Sequence, residues 1–110
     1  MPQTLTTLDG EGFDSFIDED VPSLVLFTLP DCPGCRILEP IVEGLAGAHR
    51  GSVRAAKLDI AENIDVARRY VMSAPSLVVF AAGEAEAFLV GARPAPEVER
   101  WLLDAIGAAR

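Results

Sequence analysis

Two hydrophobic periods alternate along these 110 residues, and that alternation restricts the fold more than any other feature. Leu24 to Leu29 and Leu77 to Ala82 are almost continuously apolar, yet far shorter than the roughly 20 residues a membrane helix needs. Rich in Val, Leu and Phe, Ser23 to Leu29 suits a strand covered on both faces, as central strands of a parallel sheet are. Val53 to Asp59 is a second predicted central strand, Ser76 to Ala82 is a further strand, and Leu5 to Leu8 is a short edge strand. Between them the period changes to that of a helix. Phe13, Phe16 and Ile17 share one face behind Asp9, a candidate N-cap. Ile37, Leu38, Ile41, Val42 and Leu45 form a second stripe toward Gly47, with Pro40 inside it as an expected kink.

A third helix is predicted around Ile64, Ala67 and Tyr70, capped by Asn63 or Asp59. Ala82-Gly83-Glu84 supplies a tight turn into Ala87 to Val90, which predicts an antiparallel hairpin at the sheet edge. Val98, Trp101, Leu102, Ala105 and Ile106 form a last helical stripe behind Pro94 and Pro96. The order is β-α-β-α-β-α-β-β-α. Right-handed crossovers then place helices on both faces of a mixed sheet, an α/β fold. With no internal repeat or linker, residues 1–110 read as a single domain. From its mass, such a chain buries about two-thirds of the surface it exposes unfolded, so a hydrophobic core can carry the fold.

Charge excludes some partners. Nine basic residues oppose 17 acidic ones, for a formal net charge of -8, and Arg68-Arg69 is the only basic cluster. Residues 1–31 hold seven carboxylates and no base. No cationic face is available for a phosphate backbone, so nucleic acid is not an expected partner. The acidic stretch is read as a solvated face that could also steer a basic protein. Neither a signal peptide nor a membrane span is predicted, and a cytoplasmic location is the expectation.

The two cysteines lie together as Cys32-Pro33-Gly34-Cys35, where an apolar strand gives way to an amphipathic helix. Cys32 falls near the helix N-cap, and Pro33 suits the first helical position because its missing N–H would be unpaired there. Free N–H groups and the helix macrodipole favour an anion at this place, so the Cys32 thiol is expected to ionise more easily than a free cysteine. A thiolate attacks a disulfide, and Cys35, one turn inward, can then attack the mixed disulfide. Other readings are weaker. A structural disulfide here closes a very short loop and would not persist in a reducing compartment. Structural zinc wants four ligands, and the only histidine, His49, lies near the far end of the same helix, where it reads as a helix-terminal cation. An iron–sulfur cluster shared by two chains stays open.

With these residues the chain resembles the thioredoxin family, from about Val21 to the C-terminus and more weakly before it. The resemblance is carried by Leu24-Val25-Leu26-Phe27 before the CxxC, by Arg36 and Pro40 after it, and by Ala56-Lys57-Leu58-Asp59. It continues through Ala74-Pro75-Ser76-Leu77-Val78-Val79-Phe80, Gly83 and Val90-Gly91. It implies a thioredoxin fold, with a mixed sheet of four to five strands flanked by helices on both faces. It also implies a thiol-disulfide oxidoreductase in which Cys32 is the nucleophile and Cys35 resolves. Pro75 would be cis and, with Ala74, Pro33 and Gly34, would shape a groove for an extended protein substrate. The implied partners are protein disulfides and a flavin-dependent reductase, with no metal or organic cofactor required. The alternative is an interaction or redox-regulatory module with little turnover.

The chain departs from the family pattern at several places. Typical thioredoxins read Trp-Cys-Gly-Pro-Cys, whereas here Asp31 precedes Cys32 and the Pro-Gly order is reversed; Thr28 also replaces a tryptophan. Leu26 stands where the family holds a buried aspartate thought to take the proton of Cys35. Lys57, that aspartate's partner, is retained and is the only lysine. It must therefore find another carboxylate, reach water or lose its proton. Asp31 opposes a thiolate at Cys32 while Arg36 and the helix terminus favour it. Slower resolution by Cys35 and a less reducing couple are the resulting expectations.

Overall fold

A computed structural model describes residues 5–109. Five strands form one sheet: β1 (Thr6–Leu8), β2 (Ser23–Thr28), β3 (Arg54–Asp59), β4 (Ser76–Ala81) and β5 (Glu84–Val90), in the spatial order β1-β3-β2-β4-β5. β1, β3 and β2 run parallel, and β4 and β5 run antiparallel to their neighbours. Four helices complete the fold: α1 (Gly10–Ile17), α2 (Pro33–Ala48), α3 (Ile64–Ala67) and α4 (Ala95–Ala108).

Alternation along the strands divides the core in two. Leu24 and Leu26 of β2 join Leu77 and Val79 of β4 beneath α2 and α4, which contribute Leu38, Val42, Val98 and Leu102. Val25 and Phe27 point the other way, with Val78 and Phe80, toward Phe13 and Ile17 of α1 and Val66 of α3. Because consecutive strand side chains take opposite faces, a nearly unbroken apolar run is what a strand covered on both sides requires.

Capping follows the local sequence. The Asp9 carboxylate accepts the Gly12 N–H at 2.7 Å and starts α1. Cys32 is the N-cap of α2, with Pro33 first in the helix. α2 continues without a break from Pro33 through the exposed Pro40 to Ala48. At its C-cap, His49 Nε2 lies 2.9 Å from Glu99 Oε2, tying α2 to α4.

Three expectations are adjusted. The third helix is a single turn. Tyr70 lies beyond its end and Ile64 is exposed; Asn63, at the N-cap position, makes no side-chain cap, and the Asp59 carboxylate accepts the Ala61 and Glu62 N–H groups in the turn before the helix. The hairpin does not lie wholly at the edge: β4 is fully buried beside β2, and of its two strands β5 alone is at an edge. β5 also begins at Glu84, three residues earlier than predicted, because Ala82 and Gly83 both take positive φ (50° and 84°), which suits a two-residue hairpin turn.

Candidate active site

The cysteines are placed by the junction of β2 and α2. β2 ends at Thr28, and Asp31 turns the chain with φ 56°, a left-handed conformation that aspartate tolerates better than most residues. Cys32 keeps an extended backbone, and its Sγ accepts the Cys35 N–H at 3.1 Å. The sulfur thus fills the place a serine or aspartate oxygen takes at other helix starts. Cys32 and Cys35 form a disulfide with their Cα atoms 5.2 Å apart, so the structure represents the oxidised state. The two sulfur-bearing residues differ in access. Cys35 is only 6% exposed, whereas Cys32 is half-buried at the surface.

Pro75 completes this end of the molecule. The Ala74–Pro75 bond is cis. A side chain at Gly34 would put its Cβ 3.0 Å from Pro75 Cδ and 3.5 Å from Ala92 Cβ, so the CxxC turn and the Pro75 ring are in close approach and glycine is what fits between them. The Pro75 side is anchored from two directions. Ser76 Oγ donates to the Ser73 carbonyl at 2.8 Å, and the Gly91 N–H donates to the Pro75 carbonyl at 2.9 Å. Among the described residues, neither backbone group of Ala74 is used in a hydrogen bond inside the fold.

Charges gather on the other side of the disulfide. Arg36 NH2 lies 3.8 Å from Asp31 Oδ1, both side chains being largely in solvent, so the two charges with opposing influence on Cys32 partly neutralise one another. Lys57 is not isolated. It lies on β3 beside Leu26 in the register, on the α2 face of the sheet, and its ammonium donates to Glu39 Oε1 at 2.9 Å. Glu39 is therefore the carboxylate that pairs with Lys57, Leu26 beside it in the register being apolar.

Sequence reasoning did not single out Glu39. The signal was there: Glu39 follows Cys35 by four residues, and so shares its helix face. A cleft of about 410 Å³ runs past the cysteines, lined by Thr28, Pro30, Cys32, Cys35, Arg36 and Glu39. A second hollow of about 320 Å³ lies beside it, lined by Thr7, Glu39, Lys57 and Asp59 and sharing the Thr28–Pro30 wall. Glu39 borders both. Among the described residues, no group of three or more His, Cys, Asp or Glu side chains is arranged to hold a metal ion.

A two-cysteine redox centre at the start of a helix, beside a cis proline and above a mixed five-stranded sheet, defines a thioredoxin-fold dithiol oxidoreductase. The family model for thioredoxin matches residues 4–104, and the chain belongs to the thioredoxin family. The match begins at residue 4 and so takes in β1 and α1, in the segment that sequence motifs carried only weakly. Among its relatives, the thioredoxin of Alicyclobacillus acidocaldarius subsp. acidocaldarius is 35% identical over 101 residues, 91% of this chain and 96% of that one. A thioredoxin of Staphylococcus epidermidis is 42% identical over 91 residues, 82% of this chain and 86% of that one. A bifunctional thioredoxin reductase/thioredoxin of Mycobacterium leprae is 30% identical over 104 residues, 94% of this chain but 23% of the larger protein.

Proposed function

We propose that this thiol-disulfide oxidoreductase reduces disulfides of proteins through alternation of Cys32 and Cys35 between dithiol and disulfide. The observation that carries the assignment of roles is the asymmetry of the pair. Cys32 is accessible at the positive end of α2, with the Cys35 N–H directed at its sulfur, while Cys35 is enclosed behind it. The Cys32 thiolate attacks one sulfur of the substrate disulfide, forming a mixed disulfide and expelling the other sulfur as a thiolate. Cys35, once deprotonated, attacks Cys32 Sγ. The Cys32–Cys35 bond forms, the bond to substrate breaks, and the second substrate thiolate leaves, so two electrons have passed to the substrate.

Pro33 and Gly34 on one side and Ala74 and Pro75 on the other are the walls of the substrate groove. The unused N–H and C=O of Ala74 support pairing with an extended segment of the substrate, as a strand pairs at a sheet edge. Two electrons must return to the oxidised pair, and a flavin-dependent reductase is the proposed donor. The Mycobacterium leprae relative supports this, since it joins a thioredoxin reductase and a thioredoxin in one chain. With a net charge of -8 here, a basic docking face on that partner is the complementary surface. The working location is the cytoplasm, where such a pair can be kept reduced. Among the described residues, no helix is long and apolar enough to cross a membrane.

The test is turnover. The purified protein is expected to accelerate reduction of insulin disulfides by dithiothreitol, and Cys32→Ser to return the rate to background. A folded but inactive wild type would leave only the interaction-module reading.

A further inference from the structure

Before Cys35 can attack, its thiol must lose a proton in a place that is 6% exposed. Burial disfavours the thiolate, so a nearby base changes the rate of this step more than it would in water. Asp31, Glu39 and Asp59 line the hollows at the cysteine end of the sheet, and two of the three are poorly suited. Asp31 is 99% exposed and faces Arg36. Asp59 is occupied by the N–H groups of Ala61 and Glu62. Glu39 remains.

We infer that Glu39 is the proton acceptor for Cys35, acting from α2 where no carboxylate is available on β2. Residues four apart on a helix have Cβ atoms about 5–6 Å apart, and helical side chains lean toward the N-terminus, so the Glu39 carboxylate reaches back over the turn that carries Cys35. Both residues line the same cleft, which gives a path for the proton directly or through one water. Lys57, on the adjoining strand, holds the carboxylate at that position through its 2.9 Å contact. Leu26, fully buried beside Lys57 in the register, keeps the strand side of the site apolar.

The step balances. The S–H electron pair of Cys35 stays on sulfur and becomes the new bond to Cys32 Sγ, and the electrons of the broken bond leave on the substrate sulfur. The proton passes to Glu39, then to solvent at the cleft mouth or to the departing thiolate. The groups facing this exchange are Cys32, Asp31 and Arg36 at the helix start, and Lys57 and Asp59 from β3.

This inference rests on the dithiol mechanism above, and rapid mixing of the reduced protein with dithiobis(nitrobenzoate) separates the two. The first chromophore is released in a second-order phase that reports Cys32, the second in a concentration-independent phase that reports Cys35. Glu39→Gln is expected to leave the first phase unchanged and to slow the second at neutral pH by at least about tenfold, below the roughly 10²–10⁴ general-base range because water substitutes in part. Lys57→Met, which removes the paired ammonium and leaves the base, is expected to slow the second phase less than Glu39→Gln does. A second phase in Glu39→Gln with wild-type rate overturns the inference. Equal slowing by both variants also overturns it, since that is the signature of a lost ion pair alone. Absence of a second phase in the wild type would instead overturn the dithiol mechanism itself.

Discussion

On one face of the sheet, Phe13, Phe27, Tyr70 and Phe80 gather into an aromatic cluster, with ring centroids from 5.0 Å (Tyr70–Phe80) to 6.5 Å (Phe27–Tyr70) apart. On the other, leucines and valines pack beneath α2 and α4, and this aliphatic layer gives way at one end to Lys57, Glu39 and the cysteines. Phe13, Phe27 and Phe80 are completely buried. Lys57 and Glu39 keep about a third of their side-chain surface in solvent. The difference shows how a domain of this size divides its work: one face supplies stability through large rings, and the other accepts partly exposed polar groups where protons must move.

The strongest way to break this division is to remove chemistry without touching the fold. Cys32→Ser is expected to abolish insulin reduction. It should also leave the stability of the reduced protein within about 0.5 kcal/mol, because a serine hydroxyl can accept the Cys35 N–H in place of sulfur. A large loss of stability would mean that the site end also carries the fold. The opposite experiment is Phe80→Ala. Removing a fully buried ring that packs edge-on against Phe13 and Tyr70 is expected to cost about 3–5 kcal/mol in urea unfolding. Turnover per folded molecule, measured well below the transition, should stay close to wild type.

A smaller effect is expected at the seam between the CxxC turn and Pro75. Gly34→Ala gains about 0.5–1 kcal/mol of helical preference but crowds the Pro75 ring, so net stability changes little. Turnover is expected to fall by about threefold, as the proline is displaced by a few tenths of an ångström relative to the sulfurs. The smallest effects belong to the exposed pair. Arg36→Gln is expected to slow alkylation of Cys32 and Asp31→Asn to quicken it, each by about twofold, because both charges lie in water and are screened. Changes of the same sign in both variants would show that their charges do not act on Cys32 as opposites.

Much of the fold was legible because burial on two faces leaves a sequence signature. Ser23 to Leu29 reads as a strand covered on both faces, Ser76 to Ala82 as a strand, and the Cys32–Pro33 start of α2 follows from capping rules. The extent of α3 was not legible. Ile64, Ala67 and Tyr70 fit a helical period, but the α-helix ends at Ala67, and Tyr70 follows in a tighter turn, its N–H donating to the Ala67 carbonyl and its ring packing in the aromatic cluster. Likewise, a turn was readable at Ala82-Gly83, whereas the interior position of β4 depends on which neighbour it pairs with.

The sequence by itself determined the redox pair, its position at a strand-to-helix junction, and the need of the only lysine for a partner. Each of these depends on neighbours within a few residues or on residue type, which spacing and composition record. Only the tertiary structure decided that Glu39 meets Lys57, that Asp31 meets Arg36, and that Gly34 lies against Pro75. Contacts such as Lys57–Glu39 and Gly34–Pro75 join residues 18 or more positions apart. Their geometry is set by strand register and by the rotation of α2 over the sheet, which no local pattern encodes.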